Sequence, residues 1–162
     1  MKTLFILRHA KSSWDDPKLS DFDRPLNKRG LEAAPFMGKL MKKRKIQPDI
    51  ILSSPAKRAL QTAELVKKAG ELKANIILNK EIYEATASKL LSILSKLEEK
   101  YSSVLLVGHN PSLEELLKTL TGKDESMPTA ALAKIKLRIS EWEQISKGTG
   151  ELQFLIKPKE QM

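Results

Sequence analysis

The side chains best suited to chemistry stand just past short apolar runs. "TLFIL" is followed by Arg8-His9, and "DIILS" by Ser54-Pro55 with Arg58 one helical turn on. "NIIL" leads to Lys80-Glu81, and "SVLLV" to Gly108-His109-Asn110-Pro111. The chain has only two histidines, and both follow such a run. A lone histidine at a strand end is ordinarily a surface or capping residue; Arg8, Arg58 and His109 around His9 change that reading. An imidazole with its ordinary pKa of about 6.5 is mostly neutral at pH 7 and is a competent covalent nucleophile. Each guanidinium can donate two parallel hydrogen bonds to the oxygens of a tetrahedral dianion. The chemistry this suggests is in-line phosphoryl transfer. His9 attacks phosphorus, Arg8, Arg58 and His109 hold the equatorial oxygens, and Glu81 or Glu84 protonates the leaving group.

Such a site needs a scaffold that brings distant segments to one rim. The runs at 3–7, 49–53, 75–78 and 103–107 are continuously aliphatic, as expected for parallel strands covered on both faces. Ligands of open α/β sheets bind at the carboxyl ends of the strands, where these residues stand. Helical patterns separate the runs. One has Ser54 as N-cap, Pro55 at its first position and Gly70 at its end. An arginine in its first turn, Arg58, leans back over the strand it follows, beside unpaired amides that suit an anion. A helix from about Asn27 to Lys43 contains Pro35, which predicts a kink or a late start. Leu90, Leu91, Leu94 and Leu97 form one helical stripe. For the helix after "GHNP", Ser112 and Glu115 fit a capping box, and Asn110 before Pro111 is an equally legal cap. Near the end, Ile135, Leu137 and Ile139 alternate with Lys134, Lys136 and Arg138. Leu152, Phe154 and Ile156 fall on one face, with "SKGTG" as the turn between the two segments. The fold expected is three-layer α/β/α, with a mostly parallel sheet and an antiparallel portion.

Composition sets the outer limits. At 162 residues the chain reads as a single domain spanning 1–162. There is no cysteine, which excludes disulfides and every thiolate mechanism. Lys and Arg exceed Asp and Glu by 29 to 20, favouring anionic partners. The N-terminal apolar stretch is broken early by Arg8, His9 and Lys11, so it reads as a first strand rather than a signal peptide, and the protein as cytoplasmic. No run approaches a membrane span, and two separated histidines without cysteine give no metal-ligand spacing. "KKRK" at 42–45 reads as a cationic helix C-terminus. Trp14 and Trp142 read as partly core or site-edge residues. No coiled-coil repeat invites pairing, so a monomer is expected. The rival from another class is a basic module that binds nucleic acid or phosphoprotein without turnover; a salt-sensitive affinity indifferent to His9 would mark the nucleic-acid form.

"RHA" after the first strand, "SSPAKRALQTA", and "VGHNP" after a later strand resemble the histidine phosphatase superfamily, which includes the cofactor-dependent phosphoglycerate mutases. The short chain, with "DFDRPLNKRG" and "EIYEA", resembles its compact branch typified by the SixA phosphohistidine phosphatases. The likeness runs from Leu4 to about Pro158; each motif alone is weak, and their order and spacing are specific. The resemblance implies a phosphoglycerate mutase-like fold, no cofactor and no metal. It implies His9 as the phosphorylated nucleophile, with Arg8, Arg58 and His109 as the phosphate pocket. It also implies Glu81 as the acid with Glu84 in reserve, and Arg24 bordering the substrate entrance; Asn110 is a further candidate for substrate binding. Two departures stand out. Ala10 occupies a position where the superfamily more often has glycine, and the insertions that cap the site in larger members are missing. An open pocket favours a phosphorylated side chain of another protein over an enclosed sugar phosphate. The alternative is a small phosphoester, hydrolysed or isomerised by the same chemistry.

Overall fold

The apolar runs form strands in the computed structural model, which describes residues 1–158. Strands β1 (Lys2–Arg8), β2 (Ile50–Ser53), β3 (Ile76–Leu78) and β4 (Ser103–Gly108) are parallel. β5 (Leu132–Leu137) and β6 (Gly150–Ile156) extend the sheet as an antiparallel pair, giving the order β3-β2-β4-β1-β5-β6. Helices α1 (Lys28–Lys43) and α2 (Lys57–Gly70) cover one face, and α3 (Ala87–Ser95) and α4 (Ser112–Thr121) the other. Alternation along the strands divides the core. Leu4, Ile6, Leu52, Val104 and Leu106 pack with Leu90, Leu94, Leu113 and Leu117, whereas Phe5, Leu7, Ile51, Leu105 and Val107 pack with Met37, Met41, Ala63 and Val66. Each aliphatic side chain so buried contributes roughly 1.5–3 kcal/mol relative to exposure. Trp142 is fully buried, and Trp14 is a surface residue with 76% exposure.

Several sequence expectations change at the ends of elements. β3 is an edge strand rather than a buried one: Ile77 and Leu78 are exposed because only β2 pairs with it. Leu152 does not share a face with Phe154 and Ile156. The register slips between Lys134 and Ile135, so Gln153 is extra, and Leu152 joins the α3/α4 core while Phe154 and Ile156 join the other. α1 starts at Lys28, capped by the Asn27 side chain at 2.9 Å from the Gly30 amide, and runs through Pro35, so there is no late start. α2 begins at Lys57 after Ala56, not at Pro55, and Ser54 lies outside it. α2 ends on Gly70, but Glu71 takes the left-handed conformation. Gly70 serves close packing instead. A Cβ there would stand 2.9 Å from the Gly38 carbonyl oxygen, and one on Gly38 would stand 2.7 Å from that of Val66. The two helices cross where neither has a side chain.

Candidate active site

The strand order explains why the two histidines meet. β1 and β4 are parallel neighbours with Arg8 opposite Gly108, so the next residue of each strand is a histidine at the same rim. The His9 amide donates to the Gly108 carbonyl at 3.0 Å, and the imidazole centroids lie 5.2 Å apart. β2 flanks β4 with Ser53 opposite Val107, and the Ser54 amide donates to the Val107 carbonyl at 3.1 Å. The chain then turns into α2, whose first turn carries Arg58. His9, Arg58 and His109 are all buried.

Local bonds fix each ring. His9 Nδ1 lies 2.7 Å from the Ala10 carbonyl oxygen, an acceptor, so Nδ1 carries the proton and the neutral ring keeps its lone pair on Nε2. His109 Nε2 lies 2.8 Å from the fully buried Ser54 hydroxyl. Burial pushes both imidazoles down, His9 to about 3 and His109 to about 4, with nearby Arg58 and Arg8 adding to the depression. Both are therefore neutral at pH 7. The methyl of Ala10 fits the core between α2 and the sheet, and its amide donates to Thr62 Oγ at 2.9 Å. Ala10 has no positive φ, so alanine in place of glycine strains nothing here.

Among the described residues, three buried side-chain polar atoms have no partner: Arg8 Nε, Arg58 Nε and His109 Nδ1. Buried donors are rarely left unmatched, because each costs about 1–3 kcal/mol. All three belong to residues predicted for one anion site. Arg8 and Arg58 each depress both histidine pKa values, which places the four charges and rings within electrostatic reach of one another.

The remaining predicted residues are engaged otherwise. Arg24 is buried, with its guanidinium on Asp21 at 2.9 Å and Ser12 Oγ at 2.7 Å, and 3.5 Å from the Trp14 ring centroid. It ties the 12–24 loop to Asp21, the residue that also holds Arg58. Asn110 has both amide ends in use: Nδ2 donates to the Met127 carbonyl at 2.9 Å, and Oδ1 accepts from the Glu114 amide at 3.3 Å. Nor do Ser112 and Glu115 form a capping box. Pro111 is the N-cap of α4, and Ser112 Oγ donates to the His109 carbonyl at 2.9 Å. Glu81 is an exposed carboxylate 3.8 Å from Lys89 Nζ. Glu84, also exposed, sits beside Tyr83, whose pKa its charge helps to raise.

Two site residues were not singled out from the sequence. Asp21 binds Arg58 twice, through its backbone carbonyl to Nη1 at 2.7 Å and through Oδ2 to Nη2 at 2.9 Å. Tyr83 donates to the same Oδ2 at 2.7 Å and lies edge-on to His109, 5.6 Å between centroids. Desolvation opposes ionisation of Asp21, but hydrogen bonds from Tyr83, Arg24 and Arg58 outweigh it and hold the carboxyl well below the usual range. Desolvation and the bond to Asp21 push the Tyr83 hydroxyl up to about 12.

Comparison with known proteins agrees with this geometry. The family model described as "Histidine phosphatase superfamily (branch 1)" matches residues 4–85, a span holding His9, Asp21 and Arg58. The chain belongs to the histidine phosphatase superfamily. This histidine phosphatase is 31% identical to an uncharacterised chloroplastic protein of Arabidopsis thaliana, over 97% of this chain and 78% of that protein. It superposes on the SixA-type protein of Agrobacterium tumefaciens with a TM-score of 0.84 and 32% identity, covering 97% of this chain and 98% of that one. With the protein histidine phosphatase SixA in complex with tungstate the TM-score is 0.86 at 27% identity, covering 99% of both chains. The fold is phosphoglycerate mutase-like and the branch is the SixA type. By family the protein is a phosphatase hydrolase.

Proposed function

We propose that this phosphatase removes phosphoryl groups from phosphohistidine in proteins, through a phosphohistidine intermediate on His9. The observation that carries this reading is the set of three buried, unpartnered polar atoms, on Arg8, Arg58 and His109, grouped with an imidazole whose Nε2 lone pair is free. A tetrahedral dianion supplies the acceptors that these atoms lack, and its charge is matched by the two guanidiniums. His9 Nε2 forms a bond to phosphorus as the P–N bond to the substrate imidazole breaks. The departing nitrogen leaves with the electron pair and takes a proton. Water then attacks the phosphorylated His9, orthophosphate departs, and the Nε2 lone pair is restored. A phosphoramidate nitrogen leaves more readily than an alkoxide, so the reaction needs less from a general acid. That suits a rim where Glu81 faces Lys89. Glu81 or Glu84 remains the assignment for the proton donor when the leaving group is an oxygen.

In this reading charge stabilisation by the two arginines makes the reaction metal-independent. The test is hydrolysis of phosphohistidine peptides, phosphotyrosine, phosphoserine and sugar phosphates, each with and without EDTA. Phosphohistidine is expected to turn over fastest, with no effect of EDTA and with acid-labile label trapped on the wild-type chain. His9→Ala is expected to lose on the order of 10³-fold or more in rate, together with the trapped label. Faster turnover of a sugar phosphate would replace phosphohistidine with a small phosphoester as substrate; retained activity in His9→Ala would refute the nucleophile.

A further inference from the structure

We infer that a cationic cleft beside the phosphoryl pocket is a second subsite, which reads carboxylates flanking the phosphorylated residue of a substrate protein. The inference rests on the reading proposed above. The cleft holds about 630 Å³ and is lined by Arg8, Lys11, Arg29 and Glu32, with Pro128 and Thr129 among the rest of its wall. Such a volume lies within the ~300–1,000 Å³ of ordinary ligand sites and exceeds what one inorganic phosphate needs. Arg8 lines the cleft and is adjacent in the chain to His9, whose pKa its charge helps to lower, so under the proposed reading the cleft borders the phosphate pocket. Three cations face a single carboxylate, and among the described residues neither Lys11 nor Arg29 has an ion-pair partner.

The wall is built rigidly. The Asn27 amide donates to the Lys11 carbonyl at 2.9 Å, and Ser12 bridges Leu26 in antiparallel fashion. Gly30 lies so close under the Lys11 carbonyl oxygen that a Cβ there would collide with it. Lys11 and Arg29 are thus attached to backbone whose position relative to His9 is fixed, so an anion met there requires little reordering of the main chain. Among the described residues its lining carries no histidine, and what it offers an incoming segment is charge and shape. An extended segment carrying acidic side chains suits it: the carboxylates pair with Lys11 and Arg29, and the chain lies along Pro128 and Thr129. Partly exposed pairs of this kind are each worth a factor of roughly 1.4 to 5 in binding, so two give about two- to twenty-five-fold at low salt.

The experiment compares two phosphohistidine peptides that differ only in having Glu or Gln beside the modified residue, with free phosphohistidine as reference. Wild type is expected to favour the Glu peptide in kcat/KM by about two- to twenty-five-fold at low ionic strength, with the preference fading as salt is added. Lys11→Gln with Arg29→Gln should abolish the preference, and Lys11→Glu with Arg29→Glu should invert it toward the Gln peptide. Thermal melting confirms that each variant is folded, and inversion by a folded variant cannot come from general damage. Equal kcat/KM for the two peptides in wild type, with free phosphohistidine hydrolysed, overturns the subsite and leaves the phosphohistidine reading intact. Failure to hydrolyse any of the three overturns that reading, and the subsite with it.

Discussion

Replacing Asp21 with asparagine should separate two roles that its contacts with Arg58 allow. The carboxylate accepts from Arg58 Nη2, Arg24 Nη2 and the Tyr83 hydroxyl at 2.9, 2.9 and 2.7 Å. The two arginine side chains are only 7% and 9% exposed, while Asp21 is 48% exposed. Breaking a fully buried ion pair costs about 3–5 kcal/mol, and an exposed pair is worth about 0.2–1. With one partner half in water, the expected destabilisation is roughly 1–3 kcal/mol, a fall in Tm of about 2–12 °C for a chain this long. The second effect is catalytic. Asp21→Asn leaves Arg58 its bond to the backbone carbonyl of residue 21, at 2.7 Å in the wild type, but removes the charge that orients the other nitrogen.

If Asp21 anchors Arg58, freeing the guanidinium adds ordering entropy to anion binding, about 0.5–1.5 kcal/mol. That corresponds to a fall of about two- to thirteenfold in kcat/KM. If instead Asp21 competes with the substrate for Arg58, removing its charge would raise kcat/KM and tighten inhibition by phosphate or tungstate. Thermal melts with and without phosphate, together with steady-state kinetics, read both effects. A variant with unchanged Tm and higher kcat/KM would refute the anchoring role.

Acid should weaken the fold before most carboxylates titrate. Both histidine pKa values are depressed by burial, so the unfolded chain takes up protons below about pH 6.5 that the folded chain refuses. Stability therefore falls with pH, by about 2 kcal/mol per histidine between pH 6.5 and 5, with the depressed Asp21 adding to the loss below about pH 4. Urea midpoints at pH 7 and 5 check the sign, and His9→Gln should remove about half of the difference; equal midpoints would contradict neutral buried rings. Ser54→Ala removes the partner of His109 Nε2 and an acceptor for the Ala56 amide, and should cost about 1–3 kcal/mol and lower kcat/KM. Chemical denaturation and kinetics together read that loss. Gly30→Ala places a Cβ against the Lys11 carbonyl and should destabilise by about 1–3 kcal/mol. Its activity should drop as well, because Lys11 lies two residues from His9.

What was legible in the sequence was whatever a local period or a neighbouring residue encodes. Continuous aliphatic runs revealed β1, β2 and β4 because each of those strands is buried on both faces. The same rule misread β3, whose Ile77 and Leu78 look like core until the sheet order leaves them at an edge. The extra residue at Gln153 shows no signature in its neighbours, since a bulge is a property of two strands and not of one. Within the site, the residues proposed to act directly were readable because each stands at the end of a strand or in the first turn of a helix. Those that act through another residue were not. Asp21 reaches Arg58 across 37 positions and Tyr83 reaches Asp21 across 62, and no periodicity links them. Ser54 was visible, but for the wrong reason: an N-cap serine is expected to serve its own helix, and this one instead sets the orientation of an imidazole 55 residues away. Sequence thus located the groups proposed to meet the phosphoryl group, and only the packing of separate loops revealed the hydrogen bonds that leave one nitrogen of each imidazole unengaged.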